Sequence, residues 1–460
     1  MTTLRPFFRY LFVLALFLPL AACNTSDTQT GSEPKSAHPE PVRSADWLAA
    51  LPEGPVRRQI VLGCTPCHQL GPPIAIRHSL KDWREVITRM KKIDHDLDLA
   101  LIPLDTEEIA QWLTANARMP EAGFSVPLAE ADVRVYPAGP VTGFYHDMTV
   151  SHGRAWTADY FGNKLYGASI ESGEVETYDL PVTVVPGKPA GAHQIDTTRD
   201  GMIWITFTKS EQVIRFNPIT AEFRVYSGFE RGANVQYFVI DADRYVYEDK
   251  EGGIWMTHFS REIISRLDPA TGKITQFKTP RTQGMAEKAV HLYAAVADSH
   301  GRLWYTETHG NRFGVLDPNT GKSEEFPMPE EWSGPKRLAI DPDDVLWIPE
   351  LATGRITRYD TRKREFLQSF SVPIPGDFPY AIRRNRYTGD FWITGSGSDS
   401  LYRVNPSDLS IKVYRLPHRG TYTRTVSFTE TGIWSVYASF PNTHTQTPHQ
   451  AGTMVRLQPK

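Results

Sequence analysis

Seven tryptophans, Trp156, Trp204, Trp255, Trp304, Trp347, Trp392 and Trp434, recur along the chain at separations of 48, 51, 49, 43, 45 and 42 residues. A period of this size marks one supersecondary unit that is repeated, too small to bury its own apolar face and stable only when its neighbours stack on it. Each unit runs in the same order: an alternating segment, a turn with Gly or Asp, the Trp-centred segment, a third segment, and a fourth that ends in an aromatic residue. The third segment returns as Val213-Ile214-Arg215-Phe216-Asn217-Pro218, Ile264-Ser265-Arg266-Leu267-Asp268-Pro269 and Leu401-Tyr402-Arg403-Val404-Asn405-Pro406. Four short strands per repeat of this length is the pattern of a propeller blade, so residues 131–460 are predicted to form an all-β, seven-bladed propeller.

A ring of blades must close, because an open one leaves two unpaired strand edges. Six units continue into a fourth strand, but the last has only Gln458, Pro459 and Lys460 after Met454-Val455-Arg456-Leu457. Ahead of the first blade, Asp132-Val133-Arg134-Val135-Tyr136-Pro137 carries the outer-strand pattern of alternating β-branched residues and a terminal aromatic. Residues 133–136 are therefore expected to pair with 454–457, and the segment before them to lie beside blade seven.

In such a ring the openings of the innermost strands and the ends of the second strands share one face. The innermost strands are expected to open near His146, His193, His291, Lys336, Tyr380 and Arg424. Three residues after the tryptophans stand Asp159, Phe207, His258, Glu307, Glu350, Gly395 and Tyr437. A mouth of histidines, carboxylates and cations suits a divalent cation such as magnesium, an acid and base pair, or a charged ligand. The plain alternative is that polar strand ends satisfy loop backbone or face water.

The Arg302-Leu303-Trp304-Tyr305-Thr306-Glu307 strand and the Asn311-Arg312-Phe313-Gly314 segment resemble the blade motif of the streptogramin B (virginiamycin B) lyases. That resemblance implies the propeller fold and, as an expectation, elimination of a cyclic depsipeptide by His and Glu side chains with a divalent cation. Glu307 with His309 reproduces a Glu-X-His pair of that group. Fold transfers from such a likeness more readily than activity.

Ahead of the propeller stands Cys64-Thr65-Pro66-Cys67-His68. Two thiols three positions apart can each form a thioether to a haem vinyl group, and the next histidine then meets the iron. A zinc site would need two further Cys or His ligands at similar spacing, and a redox dithiol would not need the histidine. Covalent haem c, attached through Cys64 and Cys67 with His68 on the iron, is the reading. Around the motif, residues 46–120 resemble the small all-α cytochrome c fold, with further helices expected over 81–92 and from Asp105 to about residue 117. Pro55 suits a helix start, Asp105 with Glu108 is capping-box-like, and Ile109, Trp112 and Leu113 form a stripe. Leu80, Trp83, Ile87 and Met90 share one helix face. The resemblance implies Met90 as the second iron ligand, with Met119, His78 and His95 as alternatives, and Pro72 or Pro73 could supply a carbonyl to the other nitrogen of His68.

At the start, Arg5 and Arg9 precede an apolar stretch that is too short to span a bilayer, read as a signal peptide over 1–22. Its end, Leu20-Ala21-Ala22-Cys23, resembles a bacterial lipobox, which implies lipidation of Cys23 and a position on the periplasmic side of a membrane. Asn24 leans towards the outer membrane. Residues 23–45 are rich in Ser, Thr, Pro, Gly and Glu and form a tether. With Cys23, Cys64 and Cys67 accounted for, no cysteine is left for a structural disulfide. Lys and Arg number 50 against 53 Asp and Glu, a net charge of -3, which offers no footprint for nucleic acid and leaves the lipid as the only membrane attachment. Two functions follow: haem-mediated electron transfer coupled to a propeller that meets a periplasmic redox partner or small-molecule substrate at its mouth, or a lyase-like or ligand-binding propeller with a separate cytochrome module.

Overall fold

The computed structural model describes residues 42–66, 69–70, 78–97, 104–120, 122–184, 186, 188–230, 232, 234–259, 261–280, 292–439 and 452–460, with only the backbone for 94–97. The expected signal peptide, Cys23 and nearly all of the tether lie outside these residues, as do Cys67, His68, Pro72, Pro73 and His291. Among the described residues no helix is long and apolar enough to cross a membrane.

Seven four-stranded antiparallel units follow one another around the ring, two of them joined into a single eight-stranded sheet. The join is a short parallel pairing between the innermost strands of blades three and four, at Val239 with Ala295 and Ile240 with Val296. The innermost strands of blades one to seven are Tyr145–Ser151, Ala192–Thr197, Val235–Ile240, Leu292–Ala297, Ala339–Ile340, Pro379–Arg384 and Ser427–Thr429.

The tryptophan period has a physical cause. Each of these indoles is buried, and several reach into the next blade: Trp156 lies 5.3 Å from Phe216, Trp304 5.8 Å from Tyr359, and Trp347 stacks on Phe391 at 4.2 Å. In six of the seven, all but Trp392, the indole N–H finds a partner just before its strand. Trp255 donates to Asp249 at 2.7 Å, Trp304 to Asp298 at 3.0 Å and Trp347 to Asp341 at 3.1 Å. One aspartate thus fixes its own turn and leaves no buried donor unpaired, while the ring wedges two blades together.

The ring closes as the sequence predicts. The strand Ala131–Pro137 pairs antiparallel with Thr453–Pro459, with Val133 opposite Leu457, Val135 opposite Val455 and Tyr136 opposite Met454. Tyr136 is buried 4.9 Å from Trp434, and its hydroxyl donates to the Ile170 carbonyl at 3.0 Å in blade one.

Among the described residues four helices precede this strand: α1 (Ser44–Ala49), α2 (Pro55–Cys64), α3 (Leu80–Leu97) and α4 (Thr106–Asn116). Pro55 occupies the first turn of α2, where its missing N–H costs nothing. Asp105 caps α4 by accepting from the Glu107 and Glu108 amides, both at 2.9 Å. Helix α3 runs beyond the expected end at residue 92, and the short α1 had no signal in the sequence. Ile109 and Leu113 of α4 are buried, with Trp112 half-buried beside them.

These helices dock on the propeller face, over blades five and six, and reach the opening segment of blade seven at Tyr422. Trp47, Leu48, Ile60, Val61 and Leu62 share one apolar cluster with Tyr237, Tyr293, Phe378, Tyr380 and Tyr422 of the propeller. The Ala45 amide donates to the Gly397 carbonyl at 3.0 Å, and Arg58 donates to the Glu331 carbonyl at 2.6 Å. Gly334, at φ 67°, lets Leu62 approach so closely that a Cβ there would collide with it.

A shortened chain beginning at Thr142 lacks the closing strand and should aggregate, since loss of the buried Tyr136 ring alone costs about 3–5 kcal/mol. One beginning at Glu130 keeps that strand and should be the more stable of the two. Denaturant unfolding of the pair measures this, and equal midpoints would contradict closure by this strand.

Candidate ligand site at the propeller mouth

The opening residue of each innermost strand pairs with the third residue after the tryptophan: Tyr145 with Asp159, Ala192 with Phe207, Val235 with His258, Leu292 with Glu307, Pro335 with Glu350 and Pro379 with Gly395. The next residue along turns inward. The mouth is therefore formed by His146, His193, Gln236, Tyr293, Lys336 and Tyr380, with Arg424 from blade seven. Of these the sequence reading had His146, His193, Lys336, Tyr380 and Arg424. His291, expected in blade four, lies outside the described residues; Tyr293 stands at the mouth there, and the sequence reading had no innermost-strand member from blade three.

The groups meet across the ring. His146 and His193 stack with centroids 3.7 Å apart, and His193 lies 4.9 Å from Tyr237. The Tyr237 hydroxyl donates to that of Tyr293 at 3.1 Å, and Tyr293 in turn touches the Tyr380 hydroxyl. Arg424 donates to Tyr380 at 3.2 Å, while Lys336 sits 4.0 Å above the Tyr293 ring and 5.4 Å from Tyr380. Below this layer the axis is sealed by buried ion pairs, Arg337 with Asp147 at 2.8 Å and Arg244 with Asp196, and Arg244 also donates to Val426 at 2.8 Å. The helices cover the opposite side.

Burial sets the charges. It pushes the pKa of His146 and His193 well below the ordinary imidazole value, and the nearby Arg424 and Arg337 push the same way, so both rings are neutral. Burial alone would raise Tyr380, but Arg424 and Lys336 outweigh it and hold this phenol below its usual range. Tyr237 and Tyr293 are raised, chiefly by burial.

The residues at the second-strand ends do other work. Asp159 accepts from the Phe144 and Phe161 amides at 3.1 and 3.0 Å. Glu350 accepts from Thr353 at 2.6 Å and from Thr357. His258 meets the Ser265 hydroxyl at 2.7 Å, with its pKa pushed by burial down to about 3. Glu307 is buried and hydrogen-bonds Glu325, whose pKa is raised, mainly by burial. His309 is buried in the turn after Glu307. Among the described residues no three His, Cys, Asp or Glu side chains are placed to hold a metal ion.

The Cys64 motif abuts this mouth. Cys64 ends α2, half-buried, with its thiol pushed up to about 12 by burial. The carbonyl of Thr65 accepts from the Tyr422 hydroxyl, and the Arg424 guanidinium lies 4.2 Å from the Tyr422 ring. Gln69 donates to Ser396 at 2.6 Å and to Asp399 at 2.9 Å. Tyr422, at φ 44° and fully buried, was not singled out from sequence. On α3, Trp83 and Ile87 are buried and Met90 is half-buried. Met119 is exposed, His78 packs edge-on to Trp83 at 4.8 Å, and the side chain of His95 lies outside the described residues.

The depressed histidines carry a pH dependence. Their folded pKa values lie below the unfolded one, so the stability they contribute is present above about pH 6.5 and is lost as pH falls beneath it, at about 1.4 kcal/mol per pH unit for each histidine. Unfolding free energy measured from pH 7 to 5 should fall with acid, and His258→Phe should flatten the slope. A slope unchanged in that variant would contradict a buried neutral His258.

Residues 241–438, fewer than half of the chain, match the virginiamycin B lyase family. The virginiamycin B lyase of Staphylococcus aureus superposes with a TM-score of 0.59 at 22% identity, over 72% of this chain and 99% of that one. A catalytically inactive form of the same enzyme with quinupristin gives 0.58 at 21% identity, over 72% and 99%. The WD40 repeats of RRP9 give 0.53 at 11% identity, over 72% and 100%. No curated protein matches the chain. At these identities the structural likenesses establish the fold, a lyase-like β-propeller.

Proposed function

We propose that this chain is a ligand-binding propeller of lyase-like build whose mouth is roofed by a helical module carrying covalent haem c. In this reading Cys64 and Cys67 hold the haem, His68 and Met90 bind its iron, and lipidated Cys23 tethers the protein on the periplasmic side of a bacterial membrane, the outer membrane by preference. The observation that carries it is the seating of the Cys64 motif. Thr65 on one side of Cys67 and His68, and Gln69 on the other, are both fastened to the mouth rim, by Tyr422 and by Ser396 with Asp399.

The residues present fit such a group. The Trp83 indole N–H is buried in the cluster that also holds Val61 and Leu104, and it finds no acceptor among the described residues. An unpaired buried donor is costly, and a group with acceptor atoms placed there would satisfy it. Haem c supplies one-electron chemistry when bound. The chain's own part is to exclude water through the apolar cluster, to fix the attachment segment through Tyr422, and to hold a ligand or redox partner against the mouth. Either a periplasmic redox partner or a small-molecule substrate would exchange electrons there.

Elimination on a depsipeptide is the second reading, favoured by the family match that spans Glu307 and His309. Against it stand the burial of both residues and the engagement of Glu307 with Glu325.

Expressed with haem-attachment machinery, the protein should show a covalent c-type haem spectrum that Cys64→Ala with Cys67→Ala abolishes, whereas Cys23→Ala keeps the haem and leaves membranes. Met90→Ala should lower the reduction potential and open the iron to added ligands, because thioether sulfur favours the ferrous state. A wild type without covalent haem overturns the redox reading. Ring opening of a streptogramin-like depsipeptide with magnesium, lost in Glu307→Ala with His309→Ala, would install the second one.

A further inference from the structure

We propose that the propeller axis, below the mouth, holds one small monovalent anion of halide type against Arg383. This site goes beyond the reading above and depends neither on haem nor on a ligand at the mouth. Five charged side chains form the layer: Arg244, Arg337 and Arg383 from blades three, five and six, with Asp147 and Asp196 from blades one and two. Each is 3% exposed or less. All seven innermost strands are among the described residues, and they carry no carboxylate besides these two. In the turn that carries Arg244, Asp241 and Asp243 are taken by Arg199 at 2.6 and 3.0 Å.

Both aspartates are engaged by the other two arginines: Asp147 lies 2.8 Å from Arg337, and Asp196 accepts from Arg244. Arg383 forms no ion pair among the described residues. Its Nη1 donates instead to the carbonyls of Ile382, Leu338 and Arg337, at 2.9, 3.0 and 3.3 Å. Carbonyl oxygens satisfy hydrogen bonds but leave the charge unbalanced, so the layer holds one cation in excess. The Nε atoms of Arg383 and Arg337 are also buried without an acceptor among the described residues. Burial, and then Arg337 and Arg244, push the pKa of Arg383 well below the ordinary guanidinium value. Arginine keeps its proton inside proteins, so an anion relieves this cost where deprotonation cannot. One monovalent anion balances three guanidinium groups against three negative charges. The burial of all five side chains favours a monatomic ion over one that carries an organic body.

Two measurements on the full chain test this, and neither reads the haem. Crystals grown in sodium bromide should show an anomalous-scattering peak on the axis within hydrogen-bond reach of Arg383. In solution the thermal midpoint should rise with chloride, at constant ionic strength held by gluconate. The expected rise is about 1–3 °C for each tenfold increase past the dissociation constant. Arg383→Met keeps the length of the side chain without its charge, and should abolish both the peak and the chloride response. If that variant does not fold, Arg383→Lys keeps the charge without the fork and should retain the response at about tenfold weaker affinity. Bromide at the surface alone, an adventitious ion only, overturns the proposal. So does a wild type indifferent to chloride, or a chloride response that Arg383→Met leaves unchanged.

Discussion

The pairing of Ala131–Pro137 with Thr453–Pro459 is the constraint on which the rest depends. A propeller is held by blade-to-blade packing, and that packing is complete only when the last blade has all four strands. Taking the missing strand from the segment ahead of blade one abolishes the free edge and ties the two ends of the barrel together. It also fixes where the preceding segment starts. Leu128 bridges to Val413 in the outer strand of blade six, and from there the helices lie across the ring.

The roof and the mouth form one body as a result. Polar anchors fasten the edges: Arg43 with Asp399 at 3.7 Å, Gln69 with Ser396 and Asp399, and the Arg419 guanidinium on the Val42 carbonyl. Asp399 is itself held by the Thr421 amide and hydroxyl at 2.8 and 2.9 Å, which connects the roof contact to the segment that carries Tyr422 and Arg424. Between these anchors the shared apolar cluster supplies the area. Tyr422 is the point where the two halves touch at the Cys64 motif. A bulky residue in the left-handed region costs of order 1–3 kcal/mol, and it persists only where its surroundings fix it. Here Arg424 on one side and Thr65 on the other do so.

Much of this was legible in the sequence, and the failures have physical causes. The tryptophans gave the blade count because each indole is buried in its blade and six of the seven also close the turn before them. The closing strand was legible because its alternation matches the other outer strands. The structure brings His146, His193, Lys336, Tyr380 and Arg424, from blades one, two, five, six and seven, to the mouth. In blade four His291 lies outside the described residues, and Tyr293, which had no signal in the sequence, stands at the mouth. Gln236 and Tyr237 of blade three were missed because neither residue type signals chemistry alone. Asp159, His258 and Glu350 were legible as strand ends, but their polar atoms are absorbed by the turns they close. The docking of the helices over blades five and six was hidden, since Gly334 and Gly376 read as ordinary loop glycines until their neighbours, Leu62 and Ala45, are seen.

The account turns on the roof and the mouth being one cooperative unit. Amide hydrogen exchange, read by mass spectrometry on peptides covering α2 and those covering the strands at Tyr380 and the loop at Tyr422, measures this directly in the full chain. If they are one unit, these peptides open with the same free energy, and Tyr422→Phe lowers protection of all of them together. Exchange of α2 by its own opening, several kcal/mol easier than that of the mouth and insensitive to Tyr422→Phe, would contradict it.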